Sequence, residues 1–502
     1  MKGESKGDLS RDTFDPSKHF LRVLMQQGRV SLDADWNEQV DILLHYMQTL
    51  AKDIIGPYAG PGEDKKNFDI FGIENSKTQN SVNSFNIGYG RYYVDGVLCE
   101  NEKLVFCGQL ESEGDQDQGL KYDKQLDYPC AESEIKITRL DDMKLPLLIY
   151  LDVWERHISY VEDDDIREKA LVGPDTTTRS RVVWQVKVDE TSATNCKDIN
   201  WKNVLEEFQP INRGCLKAQA KKPPNETDPC ITPPEARYRG KENQLYRVEI
   251  HRGGTSKVPA NAATLEKLEA DSDHATFKWS RDNGSVIFPI LDIKGKDVFL
   301  EHPGRDDRLS LRAGDWVEVM DDVYALLIQS RPTPLSGPRS LAQVDKVDLA
   351  DMKVTLKLKE GYVLPEKIKE GHPFLRRWDY HEPDPGEQDK PQIADSGFSG
   401  LSVEEGRWLA LEDGVQICFQ MSKSENKYQI GDYWLIPART ATGDVEWPRD
   451  DKDAPISLPP HGIDHHYAPL AVISSKDSIQ DCRCTIVPLE CQKTQSGSGE
   501  KS

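Results

Sequence analysis

The stretch at residues 87–106, IGYGRYYVDGVLCENEKLVF, decides the fold class. Asp95 and Gly96 stand between two runs of aromatic and β-branched residues, and an Asp-Gly pair in that setting is a strong signal for a tight β-hairpin. Residues 147–154 and 181–188 have the composition of further strands. The first of these is apolar enough to lie at the centre of a sheet. The sequence therefore predicts a mainly β protein.

One N-terminal amphipathic α-helix precedes this pattern, over about residues 35–55. Its apolar residues recur at helical spacing: Trp36, Val40, Leu43, Leu44, Met47, Leu50, Ala51 and Ile54. Asp35 followed by Glu38 is typical of a helix start, and Gly56 is typical of a helix end. If this face is packed, replacing one of its leucines with Ala costs roughly 2–5 kcal/mol of stability.

The length of 502 residues, with 37% hydrophobic and 30% charged residues, indicates a globular chain of several domains. Composition shifts and proline-rich stretches mark the predicted boundaries. We predict an N-terminal arm, helix and β domain at 1–188, a long connection or insertion at 189–243, a middle β domain at 244–381, a linker at 382–400, a C-terminal β domain at 401–491 and a disordered tail at 492–502.

The charge balance argues against two classes of partner. Acidic residues outnumber basic ones by 86 to 64, which gives a net charge of −22 that repels phosphate backbones and anionic lipids. The longest apolar stretch, 145–154, is too short to span a membrane. The first ten residues contain no apolar signal segment. We therefore expect cytoplasmic synthesis, no nucleic-acid partner and no membrane span.

The ten cysteines are too few for a disulfide scaffold, so we expect most to be free thiols. The sequence leaves open the disulfide state of six of them: Cys196, Cys215, Cys230, Cys482, Cys484 and Cys491.

The densest group of potential metal ligands comprises His461, Asp464, His465 and His466. Adjacent side chains on an extended chain point to opposite faces, so at most two or three of these could reach one ion without a turn. We predict no metal, no cofactor and no catalytic residues, because the standard phosphate-loop, nucleophile-elbow and zinc-protease motifs are absent. A catalytic carboxylate pair among 86 acidic residues stays open.

Tryptophans could stack on sugars, but five of them lie in strand-like patterns that predict a core position. These are Trp154, Trp184, Trp279, Trp316 and Trp434.

The segment before the helix is unusually apolar for a chain terminus: it contains Phe14, Phe20, Leu21, Val23, Leu24 and Met25. Such a set either packs on its own domain or docks on a neighbouring subunit. We favour docking, with Phe14, Phe20, Leu21, Leu24 and Met25 as interface candidates. We expect residues 1–34 to serve assembly rather than folding of the rest of the chain.

Several segments resemble an uncharacterised bacterial family associated with phage-tail-like contractile injection systems. The first two are residues 7–16 (GDLSRDTFDP) and 23–39 (VLMQQGRVSLDADWNEQ). The resemblance continues at residues 173–185, 242–251, 277–285, 431–439 and 465–467. Residues 4–6 look like an insertion relative to that family, and residues 190–235 look lengthened.

The resemblance implies a structural component of a tail-like particle, at its baseplate, spike or fibre end. It also implies other particle subunits as partners, an oligomeric assembly and a particle that is either released or attached to a membrane. The alternative is a particle-borne surface enzyme or carbohydrate-binding protein that acts on a cell envelope.

Overall fold

The computed structural model describes residues 3–62, 66–75, 81–102, 119–127, 140–220, 237–257, 274–304, 306–329, 338–364, 371–381, 390–394, 398–422, 425–475 and 478–486. The fold is mainly β, with 39% strand and 15% helical residues in several sheets and domains, which confirms the predicted fold class. Among the described residues, none of the helices combines the length and the apolar character that a membrane span needs.

The N-terminal helix α1 (Asp33–Ile55) ends at the predicted Gly56, whose φ is 92°. It begins two residues before the predicted Asp35. Asp33 and Asp35 both lie in its first turn, where carboxylates interact favourably with the helix dipole. Two short α-helices follow among the described residues, α2 (Trp201–Phe208) and α3 (Asp322–Gln329).

The predicted hairpin is present as β4 (Gly90–Val94) and β5 (Val97–Asn101). Asp95 and Gly96 have φ values of 48° and 83°, both in the left-handed region that this two-residue turn requires. The strands β1 (Tyr58–Pro61) and β25 (Thr485–Ile486) complete a four-stranded sheet in the order β25-β1-β4-β5. The strands β2 (Ile70–Asn75), β3 (Val82–Ile87) and β6 (Leu120–Lys121) form a second sheet in the order β2-β3-β6.

A long antiparallel sheet packs on these two. Its central strand β7 (Leu147–Ile158) pairs with β8 (Arg179–Glu190) on one side and with β23 (His466–Ser475) on the other, and β24 (Ser478–Asp481) extends it beyond β23. The apolar composition of β7 correctly predicted this central position. Side chains from all three sheets share one hydrophobic core.

A second core is built by two more sheets. One has five strands in the order β18-β11-β10-β21-β22: β10 (Gln244–Arg252), β11 (Thr276–Ser280), β18 (Leu401–Ser402), β21 (Tyr433–Arg439) and β22 (Asp444–Val445). The other has three strands in the order β19-β20-β9: β9 (Leu216–Ala220), β19 (Leu409–Ala410) and β20 (Val415–Phe419).

The remaining strands close into a barrel with its own core. In order around it are β12 (Ile287–Lys294), β13 (Asp297–Leu300), β16 (Lys353–Lys357), β15 (Ala342–Asp348), β14 (Trp316–Met320) and β17 (Phe374–Trp378). Closure leaves no unpaired sheet edge. The barrel lies entirely within the predicted middle domain.

Strand pairing crosses the boundaries predicted from composition. β7 of the predicted N-terminal domain pairs with β23 of the predicted C-terminal domain, and β10 of the middle domain pairs with β21. The segment 189–243 contributes α2 and β9 rather than only a connection. Composition indicates where exposed turns lie along the chain. Strand pairing joins segments that lie far apart in the sequence, so composition does not predict it. The predicted tail and residues 382–389 and 395–397 of the linker lie outside the described residues.

One disulfide joins Cys196 to Cys482, with their Cα atoms 5.4 Å apart. Cys215 and Cys484 are free thiols. Cys230 and Cys491 lie outside the described residues.

Candidate assembly surface

The first described residues lie against the body of the protein, and Lys6 and Gly7 are buried in it. Three of their backbone carbonyls accept hydrogen bonds from body side chains: Gly3 from Tyr433 (2.9 Å), Ser5 from Arg247 (2.8 Å) and Gly7 from Asn283 (2.9 Å). We call residues 3–11 the anchor. These bonds join the anchor to β10 and β21 and to the turn after β11, so this part packs on its own chain. That residues 1–34 serve assembly rather than folding stays a prediction.

A buried ion network fixes the anchor. Lys6 is only 4% exposed, and its Nζ lies 3.3 Å from a carboxylate oxygen of Glu249. The same carboxylate contacts Arg247 at 2.6 Å and Lys278 at 3.4 Å, and Lys278 also contacts Glu318 at 2.6 Å. Burial opposes the ionisation of Glu249, but the three cations outweigh it and lower the pKa of this carboxyl. The network therefore depends on each partner being present.

Polar contacts join the end of the anchor and the chain that follows it to α1. The backbone N–H of Ser10 donates to Asp33 (2.8 Å), the hydroxyl of Thr13 to Glu38 (2.6 Å) and the backbone N–H of Val23 to Gln39 (2.9 Å). Residues 12–32, which we call the arm, therefore lie along the first half of the helix.

The apolar side chains of the arm face outward. Of the five interface candidates, Phe20, Leu21, Leu24 and Met25 are exposed, whereas Phe14 is half-buried with its ring 5.7 Å from that of His45. Val30 and Leu32 are also exposed, although the sequence analysis did not single them out.

The apolar face of α1 is also turned to solvent. Its exposed large side chains are Trp36, Val40, Leu43, Leu44, Tyr46, Met47, Leu50 and Ile54. The buried side chains of the helix are Ala34 and Ile42, which lie on other sides of the helix. We call the exposed apolar side chains of the arm and α1 together the apolar surface. The described part of the chain therefore does not pack on this helix face, and Leu43 and Leu44 do not contribute the burial that a packed face would require.

The β4–β5 turn holds the polar side of α1. Lys52 contacts Asp95 at 2.6 Å, and His466 contacts the other oxygen of the same carboxylate at 2.9 Å. Burial opposes the ionisation of Asp95, but hydrogen bonds from both partners outweigh it and lower its pKa. A Cβ added to Gly96 would lie 2.1 Å from the carbonyl oxygen of Gln48, so the turn needs glycine where it meets the helix.

The histidine-rich segment contacts several different partners. Nδ1 of His465 lies 2.6 Å from Asp152, which also contacts Lys187, while His466 reaches Asp95. The ring of His461 stacks on Tyr433 with a centroid distance of 5.5 Å. In the part of the chain that the structure describes, no three His, Cys, Asp or Glu side chains form a group that could hold a metal.

A cleft of about 620 Å³ lies between the anchor, β7 and the barrel. Asp282 lines it, and burial together with the neighbouring Asp379 raises the pKa of Asp282 to about 6. Its carboxylate contacts Arg308 at 2.6 Å and Arg377 at 3.5 Å.

Four of the five tryptophans predicted for the core are buried: Trp154, Trp279, Trp316 and Trp434. Trp184 is half-buried, with its indole N–H donating to the carbonyl oxygen of Glu100 at 2.9 Å. The four buried rings are not available to stack on a sugar. Trp36 in α1, by contrast, is 74% exposed.

The model of a family of unknown function, DUF6519, matches residues 5–210 and 202–501. The chain belongs to the DUF6519 family. The match includes most of the anchor, the whole arm and α1, so the apolar surface is part of the region that defines membership. No curated protein and no solved structure matches the chain.

Neither the anchor nor the outward orientation of α1 was predicted from the sequence. Lys6 pairs with Glu4, two residues before it, but its partner Glu249 in β10 could be found only in three dimensions. The periodicity of α1 shows an apolar stripe, but such a stripe is found both on a helix that covers a sheet and on a helix that packs against another helix.

Proposed function

We propose that this protein is a structural component of a phage-tail-like contractile injection particle, and that it docks on neighbouring subunits through the apolar surface. The observation that carries this proposal is the concentration of exposed apolar side chains in one segment. Of the 26 large apolar side chains exposed among the described residues, 14 lie between residues 20 and 54.

Such a surface is unusual for a protein that works alone. Monomeric soluble proteins rarely expose a contiguous apolar patch larger than a few hundred Å². An exposed arm followed by an exposed helix is a form that subunits use to bind each other, because both can lie in a groove of a neighbour. The net charge of −22 favours protein partners over nucleic acid.

The resemblance of the N-terminal segments to a family associated with contractile injection systems supports the particle context. In that context the chain assembles in the cytoplasm at the baseplate, spike or fibre end of the particle. Its β-rich body, fixed to the arm by the anchor, would then be carried by the particle.

The test is to isolate tail-like particles from the bacterium that encodes the chain and to compare two variants. Phe20→Ser/Leu24→Ser changes the arm, whereas Leu349→Ser changes an exposed leucine far along the chain. We expect both variants to keep the wild-type melting temperature. Only the amount of the arm variant in the particles should fall, by about tenfold or more, because a few apolar side chains carry most of the binding energy of an interface. Particles that lack the wild-type chain, or that take up both variants equally, would overturn the proposal.

A further inference from the structure

The exposed stripe of α1 has the spacing of a coiled-coil seam. The intervals between its central residues alternate strictly between four and three: Trp36, Val40, Leu43, Met47, Leu50 and Ile54. This is the a/d pattern of the heptad repeat, in which each side chain inserts between four residues of a facing helix. All six residues are exposed, so no helix among the described residues faces the seam.

The residue types of the seam favour two helices. The a positions are Val40, Met47 and Ile54, and the d positions are Trp36, Leu43 and Leu50. Two of the three a positions are β-branched and two of the three d positions are leucine, a combination that favours a two-stranded coil when the helices are parallel, while Met47 and Trp36 depart from it.

The positions beside the seam favour an identical partner. The e and g positions are Asn37, Gln39, Leu44, Tyr46, Ala51 and Asp53. Asp53 is the charged residue among them. Coils between different chains use opposite charges at these positions to select their partner. The e and g positions of α1 are nearly neutral, so they lack the charges that would select a different chain. A second copy of the same helix would meet little repulsion between like charges at these positions.

The exposed area suits one stable interface. A fully exposed side chain of this size has an area of roughly 150–250 Å². Multiplying this area by the exposed fraction of each of the eight large apolar side chains of α1 gives a total exposed area on the order of 900 Å². A standard interface buries about 800 Å² per partner. One facing helix with its surroundings is therefore enough to cover this face.

We propose that α1 pairs with α1 of a second copy of this chain, so that the protein enters its assembly as a dimer. This inference rests on the proposed function, because it names the partner of the same surface. The exposed residues of the arm flank the pair and are left for other subunits.

The test is sedimentation of the purified full chain over a concentration series. Leu43→Glu places a charge at the centre of the seam, and Thr49→Glu adds the same charge to an exposed position of α1 outside the seam. We expect a dimer at about 10 µM, a dissociation constant raised about 30-fold or more by Leu43→Glu, and no change by Thr49→Glu. Equal melting temperatures of the two variants in dilute solution show that both fold.

A wild-type chain that stays monomeric up to about 100 µM, or a dimer that Leu43→Glu leaves intact, would overturn the inference. The proposed function has a separate readout. If the chain is monomeric but Leu43→Glu is lost from particles, the partner is a different subunit and the proposed function stands. If Leu43→Glu abolishes the dimer but enters particles normally, the dimer stands and docking through α1 does not.

Discussion

The anchor and the apolar surface follow each other in the chain but have opposite patterns of burial. The anchor carries charge and lies inside the body, where Lys6 is almost fully buried. The surface carries large apolar side chains and lies outside, where Trp36 is mostly exposed. A buried lysine is tolerated because carboxylates of the body surround it, whereas an exposed apolar stripe gains free energy only when another molecule covers it. The partners of the anchor therefore lie within the same chain, whereas the described part of the chain leaves the apolar surface uncovered.

The largest effect that tests this contrast is expected in the ion network that binds the anchor to β10. Glu249→Ala leaves Lys6, Arg247 and Lys278 without the carboxylate that they share, and we expect it to lower the free energy of unfolding by about 3–5 kcal/mol. Denaturant unfolding of the full chain measures the change. In the matched control, Glu206→Ala breaks an exposed pair with Lys202 on α2 and costs below about 1 kcal/mol. Equal losses in the two variants would contradict a structural role for the anchor.

A smaller effect separates the two sides of α1. Ile42 is 5% exposed, so Ile42→Ala leaves a cavity and should lower stability by roughly 2–3 kcal/mol. Leu43→Ala removes an exposed side chain and should cost below about 0.5 kcal/mol at concentrations where the chain is monomeric. Thermal unfolding of the two variants at equal dilution makes the comparison. A larger loss for Leu43→Ala would mean that the helix packs with its apolar face inward.

Local patterns in the sequence predicted local structure well. The Asp95-Gly96 turn fixed one hairpin, helical periodicity found α1, and the apolar run of β7 indicated a central strand, because each signal depends on neighbouring residues only. The pairing of β7 with β23 could not be predicted in this way. It joins residues more than 300 positions apart, and nothing in either strand specifies the other.

Burial was predicted less well than secondary structure. An apolar stripe shows that a helix packs on something, but not whether that partner belongs to the same chain, so the outward orientation of α1 could not be read from its periodicity. The burial of Lys6 was equally hidden, because Glu249 and Glu318 come from two different sheets and meet only in the folded body.

The central claim is that the apolar surface is covered by other protein in the assembled state. Oxidative footprinting with mass spectrometry tests it on the unmodified chain, because exposed methionine and tryptophan side chains react readily. In dilute solution we expect Met25, Trp36 and Met47 to be labelled and the buried Trp434 to stay unlabelled. In assembled particles we expect these three residues to become protected, while exposed Met352 and Met421 keep their reactivity. Equal labelling of Met25, Trp36 and Met47 in the dilute chain and in the particles would contradict it.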